Sequence, residues 1–219
     1  MARTTLPRFT KARFALHEFE ATYRDVCTGQ MLDLLYEKST PIRELQYLEM
    51  IRLTTGRFLE GAVAVGALLS GCPPAKLAAL RKYGRNAGVA LQIYDDVFDL
   101  VPLVTHDKEF ANDIKRRKQR LPVIHFRSTC SRAERRDLSA LWSKQTITDG
   151  EARQIVERMV ERGSIAYCLG RARAFADRAR REVLKIGWNS KILGGFVDLI
   201  QEDDAALTAS LRIRCGSTY

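Results

Sequence analysis

Long hydrophobic runs are missing from this chain of 219 residues. No apolar stretch approaches the ~18 residues that a membrane span requires. The longest, Gly61 to Cys72, stops at Pro73-Pro74. Glycine (14) and proline (6) are too few for a collagen-like or linker-dominated chain. The start, MARTTLPRFTKARF, has no apolar segment of the kind a secretory signal needs. The five cysteines (Cys27, Cys72, Cys130, Cys168 and Cys215) are scattered and odd in number, and none sits in a CxxC pair. That spacing indicates neither a zinc site nor a disulfide framework. A reducing, cytoplasmic home is expected. Strand-like alternation nowhere exceeds four residues. No repeat with a period of roughly 20–50 residues emerges, which excludes solenoids.

What is present is ordinary globular material with a basic excess. Hydrophobic residues make up 46% and charged residues 28%, so the chain is not disordered. The length suits one core. The net charge is +10, which fits nucleic acid, an anionic surface or a polyanionic small substrate. The positive residues cluster at 115–120, 132–136 and 171–181, the last two at helical spacing among Ala and Glu. No helix-turn-helix, zinc-finger or RNP pattern accompanies them, so no nucleic-acid partner is expected.

The periodicity is helical almost throughout. The pattern predicts helices over Phe14–Tyr36, from Pro41 (with Thr40 as cap) to Ser70, and from Pro74 to about Leu100. Val101–Ala111 reads as a loop, Asn112–Arg117 as a short helix or turn, and Pro122–Ser128 as a helix. Four more follow over 132–144, 149–162, 164–185 and 190–200, with Ser131 and Thr148 as caps. The fold class is all-α, a helical bundle. The expected division is an arm over 1–13, a helical domain over 14–205 and a tail over 206–219.

One segment carries chemistry. In Leu91-Gln-Ile-Tyr-Asp-Asp-Val-Phe-Asp99, Asp95 and Asp99 stand one helical turn apart with Asp96 beside them. Like charges at that spacing destabilise a helix by a few tenths of a kcal/mol, more when half buried. An exposed acidic helix end would explain them, but apolar Ile93, Val97, Phe98 and Leu100 argue against it. A hard cation is the natural counterpart. Mg²⁺ takes one or two carboxylates and completes its shell with water and substrate phosphates. Lys108, Asp113, Lys115 and Lys118 follow, as a metal-bridged polyphosphate requires.

Four ordered segments resemble the trans-isoprenyl diphosphate synthases, the polyprenyl synthetase family. Gly29-Gln30-Met-Leu-Asp33 is similar to the family's GQxxD helix. Tyr47 to Gly56 resembles YxxxxxxKTG. Tyr83-Gly84 through Asp99 resembles YGxxxGxAxQIxDDxxD, the second aspartate-rich motif. Lys108 to Pro122 resembles GKxxxxDxxxxKxTLP. The likeness runs from about residue 24 to 200. It implies an isoprenoid-synthase-like helical bundle, shortened at its N-terminus. Asp95, Asp96 and Asp99 would hold Mg²⁺ against an isoprenoid diphosphate. Lys108 would contact that diphosphate. Thr55, Gln92 and Gln30 would line the cavity beside a developing allylic cation. Asp113 and Lys118 would support the metal site. A homodimer, or a heteromer with a complete synthase, is expected.

The departures are specific. The family's lysine before Thr55 is Thr54, the glycine before Lys108 is Asp107, and the threonine of KxTLP is Arg120. The 28 residues preceding Gly29 contain no DDxxD, so the first aspartate-rich motif is absent. Three readings remain: part of a longer prenyltransferase with impaired stand-alone activity, a non-catalytic partner of a complete synthase, or a short class I terpene-synthase-like enzyme.

Overall fold

The computed structural model describes residues 8–37, 41–100, 110–186 and 191–200, and every regular element among them is a helix. Thr40, Asp107, Lys108 and the 206–219 tail lie outside the described residues. In chain order the elements are α1 (Arg8–Glu37), α2 (Glu44–Ile51), a π-helical turn (Arg52–Gly56), α3 (Arg57–Ser70), α4 (Pro74–Phe98), α5 (Asn112–Lys115), α6 (Leu121–Thr129), α7 (Arg132–Ser143), α8 (Asp149–Glu161) and α9 (Ser164–Ile186). Residues 191–200 form α10.

Two boundaries differ from the periodicity. Helix α1 begins at Arg8 rather than Phe14, because nothing between them, neither Gly nor Pro, breaks a helix. The expected helix from Pro41 starts instead at Glu44, where the Gln46 side chain accepts from the Arg43 backbone N–H at 2.9 Å. It then passes through the π turn before continuing as α3. Such single-turn bulges are frequent at functional sites, and this one carries Thr54 and Thr55. The Ser131 and Thr148 caps form as expected, each closed reciprocally by a glutamate three residues on.

Helix α4 is central, packed chiefly against α9 and α3. On α9, Ala172, Ala176 and Ala179 are all buried, so one small-residue face lies close to Ala87, Ala90, Ile93 and Val97 of α4. On the other side the backbones nearly touch. A Cβ on Gly88 would lie 2.4 Å from the Thr55 carbonyl oxygen, and one on Gly84 would lie 2.7 Å from that of Leu59. These glycines bring the π turn against the acidic end of α4.

Helix α1 packs the wrong way round for an ordinary amphipathic helix. Its inward face is polar: Glu18 is buried and meets Arg57 at 2.8 Å and Arg81 at 2.5 Å. Arg57 also meets Asp25 at 2.7 Å. Many large apolar residues of α1, including Leu16, Phe19 (60% exposed), Tyr23 (66%), Met31 and Leu34, face outward, whereas Leu32 and Tyr36 pack against the core.

The close approach of α4 to the π turn and the open outer side of α3 make a paired prediction. Gly88→Ala must push against backbone, so it should destabilise by about 1–3 kcal/mol. Gly66→Ala meets nothing within 4 Å on the outer side of α3. It should stabilise by up to about 1 kcal/mol through helix propensity. Urea midpoints of the two variants check both signs.

Candidate active site

The site is organised around Asp96, which is 1% exposed. Tyr47 enters from α2, fully buried, and its hydroxyl donates to Asp96 Oδ2 at 2.5 Å. One turn back on α4, Gln92 Nε2 donates to Asp96 Oδ1 at 2.9 Å. The Gln92 carbonyl oxygen accepts from Thr55 Oγ1 at 2.5 Å. A continuous polar line thus runs Thr55–Gln92–Asp96–Tyr47 through an otherwise apolar interior. Arg120 closes it. Its Nη1 donates to Asp33 Oδ1 at 2.8 Å and its Nε to Asp113 Oδ2 at 3.1 Å, while Nε lies 3.6 Å from Asp96 Oδ1. Lys118 meets Asp33 Oδ2 at 2.5 Å and Glu37 Oε1 at 3.1 Å.

A cavity of about 210 Å³ opens on this line. Gln30 and Asp33 of α1, Met50 and Ile51 of α2, Thr54 and Thr55 of the π turn, Gln92, Lys118 and Arg120 line it. Gln30, Thr55, Gln92 and Lys118 are thereby brought together, with Lys118 paired to Asp33 and Glu37. The two cations face four carboxylates (Asp33, Glu37, Asp96 and Asp113), so this cluster carries more negative than positive charge.

The three motif aspartates occupy three environments. Asp95 is exposed, Asp99 is partly buried, and Asp96 points inward. Asp99 Oδ2 accepts from the Asp113 backbone N–H at 2.9 Å, which ties the end of α4 to α5. Among the described residues no three His, Cys, Asp or Glu side chains converge on one metal position. Two hard carboxylates on successive turns, Asp95 and Asp99, nevertheless suit Mg²⁺, which needs no more from the protein when phosphate supplies the rest.

Burial pushes the Asp96 carboxyl up to about 7, and nearby Asp113 adds to this; Arg120 and the hydrogen bonds from Tyr47 and Gln92 only partly offset it. Arg120 is shared among three carboxylates and stands closer to the other two, so its field does not repay the desolvation. Burial opposes the charge on Arg120 itself, but Asp96, Asp113 and Asp33 outweigh it and hold the guanidinium firmly protonated. Burial and the adjacent Asp96 push the Tyr47 hydroxyl well up.

Comparison with known proteins places this arrangement. The family model described as Polyprenyl synthetase matches residues 2–159. The chain belongs to the polyprenyl synthetase family. It is 33% identical over 144 residues to the short chain isoprenyl diphosphate synthase of Methanocaldococcus jannaschii, covering 65% of this chain and 43% of that protein. It is 32% identical over 157 residues to the geranylfarnesyl diphosphate synthase of Aeropyrum pernix, covering 71% and 48%. The chain therefore spans about half the length of the curated relatives it matches. Among solved structures, a polyprenyl synthetase from Streptomyces coelicolor superposes with a TM-score of 0.79 at 24% identity, over 87% of this chain and 59% of that one. A Caulobacter crescentus polyprenyl synthase, described as complexed with calcium and isoprenyl diphosphate, gives 0.77 at 24% identity, over 90% and 58%. The fold is the helical fold of these synthases.

Within this polyprenyl synthetase chain, three site residues escaped the sequence reading. Tyr47 was only the first letter of a motif, Asp33 the last letter of another, and Arg120 a departure from a third. Positions 54 and 120, where the pattern exchanges a lysine for threonine and a threonine for arginine, line the same cavity. No local signal links them, since 65 residues intervene.

A pH prediction follows from Asp96. Its pKa is raised on folding, so the native state holds the proton more tightly than the unfolded chain. In metal-free buffer the stability of the native protein relative to Asp96→Asn should be highest near pH 4. It should fall as pH rises to about 7. Urea midpoints of both proteins across that range measure the difference; a flat difference removes the assignment.

Proposed function

We propose that this site is the allylic-diphosphate side of a trans-isoprenyl diphosphate synthase. It binds an isoprenoid diphosphate, and the allylic C–O bond breaks with both electrons leaving on the diphosphate. The resulting cation is the electrophile for isopentenyl diphosphate. The observation that carries this reading is the polar line Thr55–Gln92–Asp96–Tyr47, whose Thr55 and Gln92 lie on the cavity wall, Gln92 about one helical turn before Asp95. The Thr55 oxygen and the Gln92 carbonyl oxygen present negative dipole ends where positive charge develops, a fixed arrangement that stabilises it without reorganisation. Met50 and Ile51 give the same wall an apolar part that limits water near the cation. Gln30 stands at the rim, and Lys108 is assigned to the diphosphate by its motif.

Mg²⁺ is the proposed cofactor, held by Asp95 and Asp99. When bound it supplies the positive charge that makes diphosphate a leaving group. Asp96, which the motif implies as a third metal ligand, is 1% exposed and bound by Tyr47 and Gln92, so in this reading it serves from the inside by holding Gln92. The charge balance supports a metal requirement: Lys118 and Arg120 are already engaged by carboxylates, so the described wall alone repels an anion. The calcium and isoprenyl diphosphate in the Caulobacter protein are a parallel for the class of ligand. The same engagement of both cations favours a second reading, a partner subunit that binds the diphosphate but elongates it only beside a complete synthase.

Calorimetry with an isoprenoid diphosphate tests the binding. Affinity should depend on Mg²⁺ and drop at least tenfold in Asp95→Ala/Asp99→Ala, the loss of about 1.4 kcal/mol or more. Equal binding with and without the ion would sink the assignment.

The outward apolar face of α1 is proposed as the surface on which a second copy or a synthase partner docks. Phe19, Tyr23, Cys27 and Met31 recur every fourth residue there and line an apolar groove. A contiguous patch of this kind is uncommon on a monomer. Light scattering at micromolar concentration should give a dimer, with Tyr23→Glu shifting it toward monomer. A monomeric native chain would remove the self-association reading.

A further inference from the structure

We propose that Arg120 is a positioning residue of this site. Its guanidinium draws Asp33, Asp96 and Asp113 together and so fixes which way the Gln92 side-chain amide points in the cavity. The backbone holds the arginine in place. It occupies the extended position just before α6, and Leu121 behind it is fully buried with Pro122 in the first turn. The side chain is 14% exposed and spans three helices: Asp33 on α1 at 2.8 Å, Asp113 on α5 at 3.1 Å and Asp96 on α4 at 3.6 Å. A planar fork of donors can meet three carboxylates at once, where an ammonium acts as a single point.

The link to Gln92 is the shared oxygen. Asp96 Oδ1 both accepts from Gln92 Nε2 and faces the guanidinium. A side-chain amide has donors at one end and an acceptor at the other. While Asp96 Oδ1 is held in place and takes the Nε2 end, the carbonyl end must face Thr55 and the cavity. Without the guanidinium, three carboxylates lose their common counter-charge and separate. Asp96 Oδ1 then leaves the position that aligns the amide. The exchange of residues at 54 and 120 agrees with this: threonine at 54 leaves the wall without a cation there, and Arg120 brings one from another side. The bearing on catalysis rests on the prenyltransferase reading, but the geometry does not.

The experiment is solvent exchange of the Gln92 side-chain amide protons, measured by NMR on the full ligand-free chain at constant pH. The signal is assigned by its absence in Gln92→Glu. In Arg120→Thr the protons should exchange roughly tenfold faster, the factor expected when a hydrogen bond to a charged group is lost. Arg120→Lys should fall between, because the ammonium restores charge without the fork. A lowered melting temperature with unchanged Gln92 exchange in Arg120→Thr would show a merely structural arginine and overturn the proposal. If Arg120→Thr does not fold, Arg120→Lys decides, and native-like exchange in it overturns the proposal. Failure of the native chain to bind an isoprenoid diphosphate in calorimetry would instead count against the prenyltransferase reading and leave the amide result intact.

Discussion

A carboxylate taken from water into a helical bundle is destabilised by several kcal/mol unless hydrogen bonds and opposite charge replace its hydration. Asp96 is in that position, and the elements around it supply part of what it needs, so its carboxyl is pushed up to about 7. Tyr47 comes from α2, Gln92 from the preceding turn of α4, and Arg120 from the segment before α6. Arg120 in turn brings Asp33 of α1 and Asp113 of α5. The cavity wall is therefore a by-product of neutralising one buried acid. Loss of any partner leaves a polar group unsatisfied in the interior, which costs more than the contact it contributed.

The same logic governs the charge of the site. A basic chain suggests a surface that welcomes anions, yet at this cavity the positive groups are consumed internally. Lys118 is held by Asp33 and Glu37, and Arg120 by three carboxylates. The excess of positive residues lies partly on solvated helix faces, where Arg158 and Arg162 bridge to acids of α7. Such exposed pairs contribute little to stability. Net charge says nothing about the sign at a particular wall.

Helix α1 shows how a polar interior contact inverts an amphipathic helix. Glu18 and Asp25 must face Arg57 and Arg81, so most large apolar residues of α1 before Leu32 take the outside, while Leu32 and Tyr36 pack against the core. Among the described residues, that face is one that the packing of the chain itself does not explain. It belongs to the helix that also carries Gln30 and Asp33, so whatever covers α1 also bears on the cavity.

The sequence by itself determined the helical class, nearly every helix boundary, the Ser131 and Thr148 caps and the family. These are local properties: the period of apolar residues, a Ser or Thr just before a helical stretch, and motifs read within one segment. It also brought Thr55, Gln92 and Asp96 into consideration as one site. Tertiary structure alone decided that the three aspartates have unlike surroundings. Helical spacing puts Asp95 and Asp96 about 100° apart around the axis, and only the position of Tyr47 and Arg120 says which of them faces the core. The π turn was equally hidden, because it spans only Arg52–Gly56 and five residues are too few for their spacing to register a change in winding. The meeting of positions 54 and 120 was out of reach for the same reason: charge compensation acts through space, and a one-dimensional reading records only distance along the chain.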